Sequence, residues 1–211
     1  MWEKEYKTRR FYWGLRPVIG LKEVLKYTKK GIALDIGAGE GRNSIFLAKN
    51  GFEVEAMDKI KAGLEKCKKL AKKYNLPIKT KVIDIKNFDF KKNRYTLILG
   101  IGVFDFLRFS EFKKIIKKIY RSLTKNGIFY LIVFSIRDPA FKRYKEKNLA
   151  TKEKNTFYLP KIKMYRHFFS KKELLNLLGN FQVIKIREEK IKDVHDFPHY
   201  HSLIRVIARK K

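Results

Sequence analysis

Short apolar runs alternate along the chain with amphipathic, lysine-rich stretches, and this rhythm predicts an α/β protein. After Pro17 a helix is expected over about 18–28, with Val18, Leu21, Val24 and Leu25 on one face. IALDI (32–36) reads as a buried strand that ends at glycines. RNSIFLAKN follows as a helix that packs through Ile45, Phe46 and Leu47 and stops at Gly51. A strand at 52–57, a helix across about 60–74 halted by Asn75 and Pro77, a strand at 78–83 and another at 94–100 continue the pattern. Ser110 is positioned to cap a helix whose stripe is Phe112, Ile115, Ile116 and Ile119, and Asn126-Gly127 then turns the chain into the strand IFYLIVFS. Ser170 caps the last helix, KKELLNLLG. Two terminal strands, 181–189 and 202–210, are separated by too few residues for a crossover helix, so they should pair antiparallel.

This element order fits one domain over 1–211, with an N-terminal arm and helix in 1–30. The segment 136–170 breaks the rhythm, being aromatic and lysine-rich with few long apolar runs, and is expected to form a lid-like insertion. No apolar run approaches the roughly 18 residues a membrane span needs. The first twenty residues carry early charge without a secretory h-region, so a cytoplasmic location and no membrane association are expected.

The single cysteine, Cys67, excludes an intramolecular disulfide framework and a clustered thiolate metal site; in LEKCKKLAKK it reads as a structural thiol. A formal charge of +30 invites a polyanion such as RNA. The lysines, however, are spread over every expected helix, which favours a solvated basic surface, and the lone Gln182 also fits a thermophile's composition.

The chemistry concentrates at Ala33-Leu34-Asp35-Ile36-Gly37-Ala38-Gly39-Glu40-Gly41-Arg42-Asn43, where a strand runs through a glycine turn into a helix. Glycines let a backbone turn sharply and approach a ligand closely. Asp58 ends the second strand 21 positions after Gly37, where a carboxylate can accept hydrogen bonds from both ribose hydroxyls of a nucleoside. A dinucleotide fingerprint requires a sixth-position glycine, but that place is held by Arg42. A zwitterionic amino acid bearing a sulfonium gains instead from a nearby carboxylate, which Asp35 can supply directly or through water.

At these residues the sequence resembles the class I S-adenosylmethionine-dependent methyltransferases, over nearly the whole chain. A closer resemblance, to the tellurite-resistance and thiopurine methyltransferase group, rests on the 27-residue run ALDIGAGEGRNSIFLAKNGFEVEAMDK and on the terminal Ala-Arg-Lys-Lys. The resemblance implies a Rossmann-like, seven-stranded, mostly parallel sheet with an antiparallel terminal hairpin and helices on both faces. It also implies S-adenosylmethionine as methyl donor and S-adenosylhomocysteine as product. Asp35, Gly37, Ala38, Gly39 and Gly41 would cradle the methionine part, Asp58 would hold the ribose, Asp84 and Ile85 would lie at the adenine, Gly100, Ile101 and Gly102 would line the cleft near the methyl donor, and Arg42, Asn43 and Lys59 would also bind the cofactor.

Acceptor-side candidates are Trp13, Arg16, Phe104, Asp105, Arg137 and Asp138; Arg16 and Arg137 suit an anionic acceptor through bidentate contacts. A hydroxyl, amine or carbon acceptor would need deprotonation or a proton exit, for which a His or Asp near the cleft matters; the sequence names no catalytic residue outright, and Asp105, Arg137, His199 and His201 are the candidates to act at the substrate. His195, His199 and His201 lie in HDFPHYH without an accompanying carboxylate-rich or cysteine motif, so no metal is expected and a polar turn between the last two strands accounts for them. The leading reading is a methyltransferase acting on a small molecule. The alternatives are an RNA methyltransferase, against which stands the absence of an Asn/Asp-Pro-Pro-aromatic motif, and a non-catalytic protein that binds S-adenosylmethionine.

Overall fold

Alternate residues of the central strands face opposite sides of one seven-stranded sheet in the computed structural model, which describes residues 2–8, 10–194 and 198–211. The arm carries α1 (Trp2–Tyr6) and α2 (Leu21–Val24). Then follow β1 (Ile32–Ile36), α3 (Arg42–Lys49), β2 (Glu53–Asp58), α4 (Lys61–Lys73), β3 (Ile78–Val82), β4 (Tyr95–Ile101), α5 (Phe109–Ser122) and β5 (Leu123–Phe134). Beyond β5 lie α6 (Pro139–Glu146), β6 (Thr156–Leu159), β7 (Met164–His167), α7 (Lys171–Leu177), β8 (Phe181–Asp193) and β9 (His199–Lys210). The spatial order is β3-β2-β1-β4-β5-β9-β8, parallel from β3 to β5, with β9 antiparallel to both β5 and β8.

The period of two explains why these strands look continuously apolar: both faces are covered. On β5, Phe129, Leu131 and Val133 pack with Ile98, Ile204 and the α5 stripe of Phe112, Ile115, Ile116 and Ile119. Ile128, Tyr130 and Ile132 point the other way, onto Leu97, Leu99, Leu21 and Leu47. The strands carrying this core end on the side where the glycine loop opens, so the core fixes the positions of the loops that follow β1, β2 and β4.

Several expected elements change at their ends. The helix expected at 18–28 shrinks to α2 and a 3-10 turn, because Gly20 enters it with φ 82. Ser110 is not the cap of α5. The Glu153 carboxylate, reaching from the segment after α6, accepts the backbone N–H of Phe109 (2.8 Å) and Ser110 (3.4 Å), and Glu111 accepts that of Arg108 (2.9 Å). Asn126, with φ 63, bends the chain as expected, but inside β5, which already begins pairing with Tyr95 at Leu123. Ser170 does cap α7, accepting from the Glu173 amide at 3.1 Å. The segment 136–170 is no bare loop: α6 and the β6–β7 hairpin give it structure, with Phe141, Phe157 and Phe168 forming an edge-to-face aromatic cluster.

Candidate active site

A cleft of about 680 Å³ opens over the ends of β1, β2, β4 and β5, within the range usual for small-ligand sites. Its floor is the glycine loop. Gly37 and Gly39 sit at φ 69 and 54, left-handed values that L side chains rarely adopt. Gly41, at φ 88, faces away from the cleft; a Cβ there would stand 2.4 Å from Cys67 Sγ, so the loop is wedged against α4 from behind. Burial pushes the Cys67 thiol up to about 12, in keeping with a structural role.

Asp58 ties the floor together. Its Oδ2 accepts the Gly39 amide at 2.9 Å and its Oδ1 the Ile60 amide at 2.8 Å, while the carboxylate still borders the cleft. Burial raises its pKa above the usual aspartate value, and those two amides work against the rise. Asp84, whose Oδ1 accepts from the Lys86 amide at 2.9 Å, and Ile85 border the cleft one strand further on. Gly37, Ala38, Gly39, Arg42, Asn43, Lys59, Ile101 and Gly102 complete the part of the wall expected from the sequence.

Three residues expected at the cofactor do not line the cleft. Asp35 is buried beneath the loop, accepting from Ser44 Oγ at 2.6 Å, and loss of solvent lifts its carboxyl to about 6. Gly41 turns toward Cys67. Gly100 lies under the Phe104 ring, which its missing Cβ admits, so Phe104 belongs to the core rather than to the acceptor side.

On the acceptor side, Trp13 and Arg16 line the cleft, as do Asp105, His199 and His201. Arg137 does not: its side chain is 77% exposed and pairs with Glu188 at 3.6 Å, because the strand β5 ends before it and turns it outward. Arg166, from β7, does line the cleft, stacked over Phe106 (4.3 Å) and Phe134 (4.7 Å). Beside it Asp105 is fully buried, accepts the Phe134 amide at 2.6 Å, and keeps Oδ2 without a hydrogen-bond partner. Desolvation lifts Asp105 to about 6, against the pull of Arg166.

The histidines do not sit in a turn. His199 and His201 lie within β9, on one face, with Asp193 of β8 opposite His199; His195 is outside the described residues. Asp138, expected near the acceptor, caps α6 by accepting the Ala140 amide at 2.9 Å.

The arm supplies what the sequence concealed. Tyr6 lies over Gly39, where a Cβ would approach its hydroxyl to 2.8 Å, and accepts a hydrogen bond from Trp13 Nε1 at 3.3 Å. Glu40, almost fully buried, pairs with Lys66 at 2.6 Å, and Asn43 accepts the Val18 amide at 2.9 Å, fastening the arm to the loop. The arm's aromatic residues were the available signal, but nothing local says which element they cover.

The family model "Tellurite resistance protein TehB" matches residues 3–196. By sequence the chain is 34% identical over 100 residues to a protein of Haemophilus influenzae named "Probable S-adenosyl-L-methionine-dependent methyltransferase TehB", a match that covers 47% of this chain and 34% of that protein. The crystal structure of TehB from Haemophilus influenzae superposes with a TM-score of 0.72 at 21% identity, covering 100% of this chain and 66% of that one. A S-adenosylmethionine-dependent methyltransferase structure from Methanosarcina mazei gives a TM-score of 0.75 at 23% identity, covering 89% and 96%. A third, the Burkholderia thailandensis 1,6-didemethyltoxoflavin-N1-methyltransferase with bound 1,6-didemethyltoxoflavin and S-adenosylhomocysteine, gives 0.65 at 18%, covering 92% and 79%. These structural likenesses establish the fold. The chain spans about a third of the length of the curated relative it matches.

Proposed function

The chain belongs to the tellurite-resistance TehB family of S-adenosylmethionine-dependent methyltransferases, and from that premise we propose that it transfers the methyl group to a small-molecule acceptor. The observation that carries this reading is one cleft bordered in succession by the Gly37–Gly39 loop, Asp58 and Asp84, and then by an aromatic, cationic wall of Arg166, Phe106 and Phe134. The first half suits an adenosyl amino acid, with the Asp58 carboxylate offering free lone pairs to a ribose diol and Ile85 packing beside a purine. Asp35 serves this half by stiffening the loop through Ser44, not by direct contact.

When bound, the cofactor supplies an electrophilic methyl group on a sulfonium leaving group. The chain's own residues position the acceptor for in-line approach and exclude water, a contribution worth up to about 7–11 kcal/mol of barrier. Tyr6, Trp13 and Arg16 from the arm and Arg143, Tyr144 and Arg166 from the 136–170 segment wall the cleft from both sides. That enclosure favours a compact acceptor over an RNA strand, and Arg166 favours an anionic one. A small chalcogen oxyanion, the class that the family's tellurite-resistance description suggests, needs no general base, and neither does a thiolate.

Among the described residues no helix is long and apolar enough to cross a membrane, and a cytoplasmic site of action is part of the proposal. The test is S-adenosylhomocysteine release from S-adenosylmethionine with selenite, tellurite, aryl thiols or total RNA as acceptor. Turnover with a small anionic acceptor is expected. Turnover with RNA alone, or with none of them, would overturn the assignment.

A further inference from the structure

The terminal hairpin gathers metal-ligating atoms where the sequence separates them. Residues i and i+2 of a strand share a face, so His199 and His201 project together from β9. The β8–β9 register sets Asp193 opposite His199. As a result His199 Nε2 and His201 Nε2 are 2.9 Å apart, and Asp193 Oδ2 is 3.7 Å from His201 Nε2. Taken together, one ligand atom from each of the three residues falls within 4.8 Å of the others. Two nitrogens bound to one ion at about 2.1 Å stand about 3.0 Å apart at a right angle and about 3.4 Å apart at a tetrahedral one, so the two imidazoles, which share a hydrogen bond at 2.9 Å, already stand at a spacing that adjacent positions around a single ion require.

A buried carboxylate stands behind His201. Asp138, buried at 1% exposure, accepts three hydrogen bonds: Ala140 N on Oδ1, and Ser202 N (2.9 Å) and His201 Nδ1 (3.0 Å) on Oδ2. With its other acceptor sites taken by amides, Asp138 receives the His201 Nδ1 proton, which leaves the Nε2 lone pair directed at His199 and Asp193. A carboxylate that fixes the tautomer of a ligating imidazole is the usual outer-shell arrangement of histidine metal sites. Phe134 packs edge-on against His201 with ring centres 4.8 Å apart, holding the ring in place.

We propose that Asp193, His199 and His201 bind a first-row transition-metal dication at the wall of the cleft, with Asp138 as the residue that orients His201. Two imidazoles and one carboxylate match ions of the zinc and cobalt type better than magnesium, which prefers oxygen ligands and water. All three ligands border the same cleft as Arg166 and the glycine loop, so coordination positions left open by the protein would present the ion to a bound oxyanion or thiolate. Metal binding itself does not depend on the acceptor being such a molecule.

The experiment uses the untagged, metal-stripped chain titrated with cobalt(II) and followed by its visible d–d absorption, with zinc(II) as competitor. Saturable one-to-one binding is expected, reversed by zinc, and weakened at least 100-fold in His199→Ala and in His201→Ala. Asp138→Asn should weaken it about 10- to 100-fold and change the shape of the cobalt spectrum. Unaltered S-adenosylhomocysteine affinity in each variant shows that it has folded, and this readout fails separately if the cofactor assignment is at fault. Absence of cobalt and zinc binding, or binding that survives both histidine substitutions, overturns the proposal.

Discussion

Removing the Asp58 carboxylate is the sharpest probe of the cleft. Each of its oxygens accepts one backbone amide, from Gly39 at 2.9 Å and Ile60 at 2.8 Å, and each retains lone-pair capacity toward the cleft. A ribose diol donating to that carboxylate would make two charge-assisted hydrogen bonds, each worth roughly 1.5–3 kcal/mol. Asp58→Ala loses both and also frees two loop amides, so a loss of about 3–4 kcal/mol is expected, which is roughly 100- to 1,000-fold in affinity. Asp58→Asn keeps the shape but turns its carboxamide NH2 toward one of the two backbone amides, and should fall between the native chain and Asp58→Ala. Calorimetric titration with S-adenosylhomocysteine measures both, with thermal melting as the check on folding. Because burial lifts the Asp58 carboxyl above the ordinary aspartate value, native affinity should begin to fall at a higher pH than an exposed aspartate would dictate. A folded Asp58→Ala protein that binds within threefold of the native chain would refute the ribose assignment.

Asp35 and Asp105 both have folded pKa values of about 6 against an ordinary 3.8, so the folded state holds these protons more tightly than the unfolded chain and stability is lost as pH rises from about 4 through 6. A shift of that size corresponds to roughly 3 kcal/mol per group; urea unfolding across this window should show the decline, and Asp35→Asn should remove about half of it. Gly41→Ala places a Cβ 2.4 Å from Cys67 Sγ and 2.7 Å from Cys67 Cβ at a φ of 88, so a loss of about 2–4 kcal/mol is expected that Cys67→Ala does not restore, read by chemical denaturation of the single and double variants. Glu153→Ala strips α5 of the acceptor for its Phe109 and Ser110 amides and should cost about 1–2 kcal/mol, a melting-temperature drop of roughly 2–8 °C by calorimetry; no change would mean that water replaces the cap.

The sequence by itself determined the parts of this protein that depend on neighbours along the chain. Apolar runs placed β1 to β4 to within a residue at either end and found β5, β8 and β9, although β5 starts at Leu123 rather than after the Asn126-Gly127 turn and the last two strands run on to Asp193 and back to His199. The glycine loop follows β1 and Asp58 ends β2, so their place beside one another comes directly from the parallel pairing of those strands. Only the tertiary structure decided the rest, because it rests on contacts between distant segments. Arg137 and Arg166 are both arginines near an aromatic stretch, yet the end of β5 turns one into solvent while the β6–β7 hairpin carries the other over Phe106 and Phe134. Asp35 looks like a ligand in its motif, but Ser44, in the first turn of α3, takes its carboxylate inward. His199 and His201 read as a polar turn until the register of two twelve- and thirteen-residue strands sets Asp193 against them. A strand slipped by one residue sends those side chains to the other face, and the hydrophobic pattern that fixes the slip is satisfied only when the whole sheet has assembled.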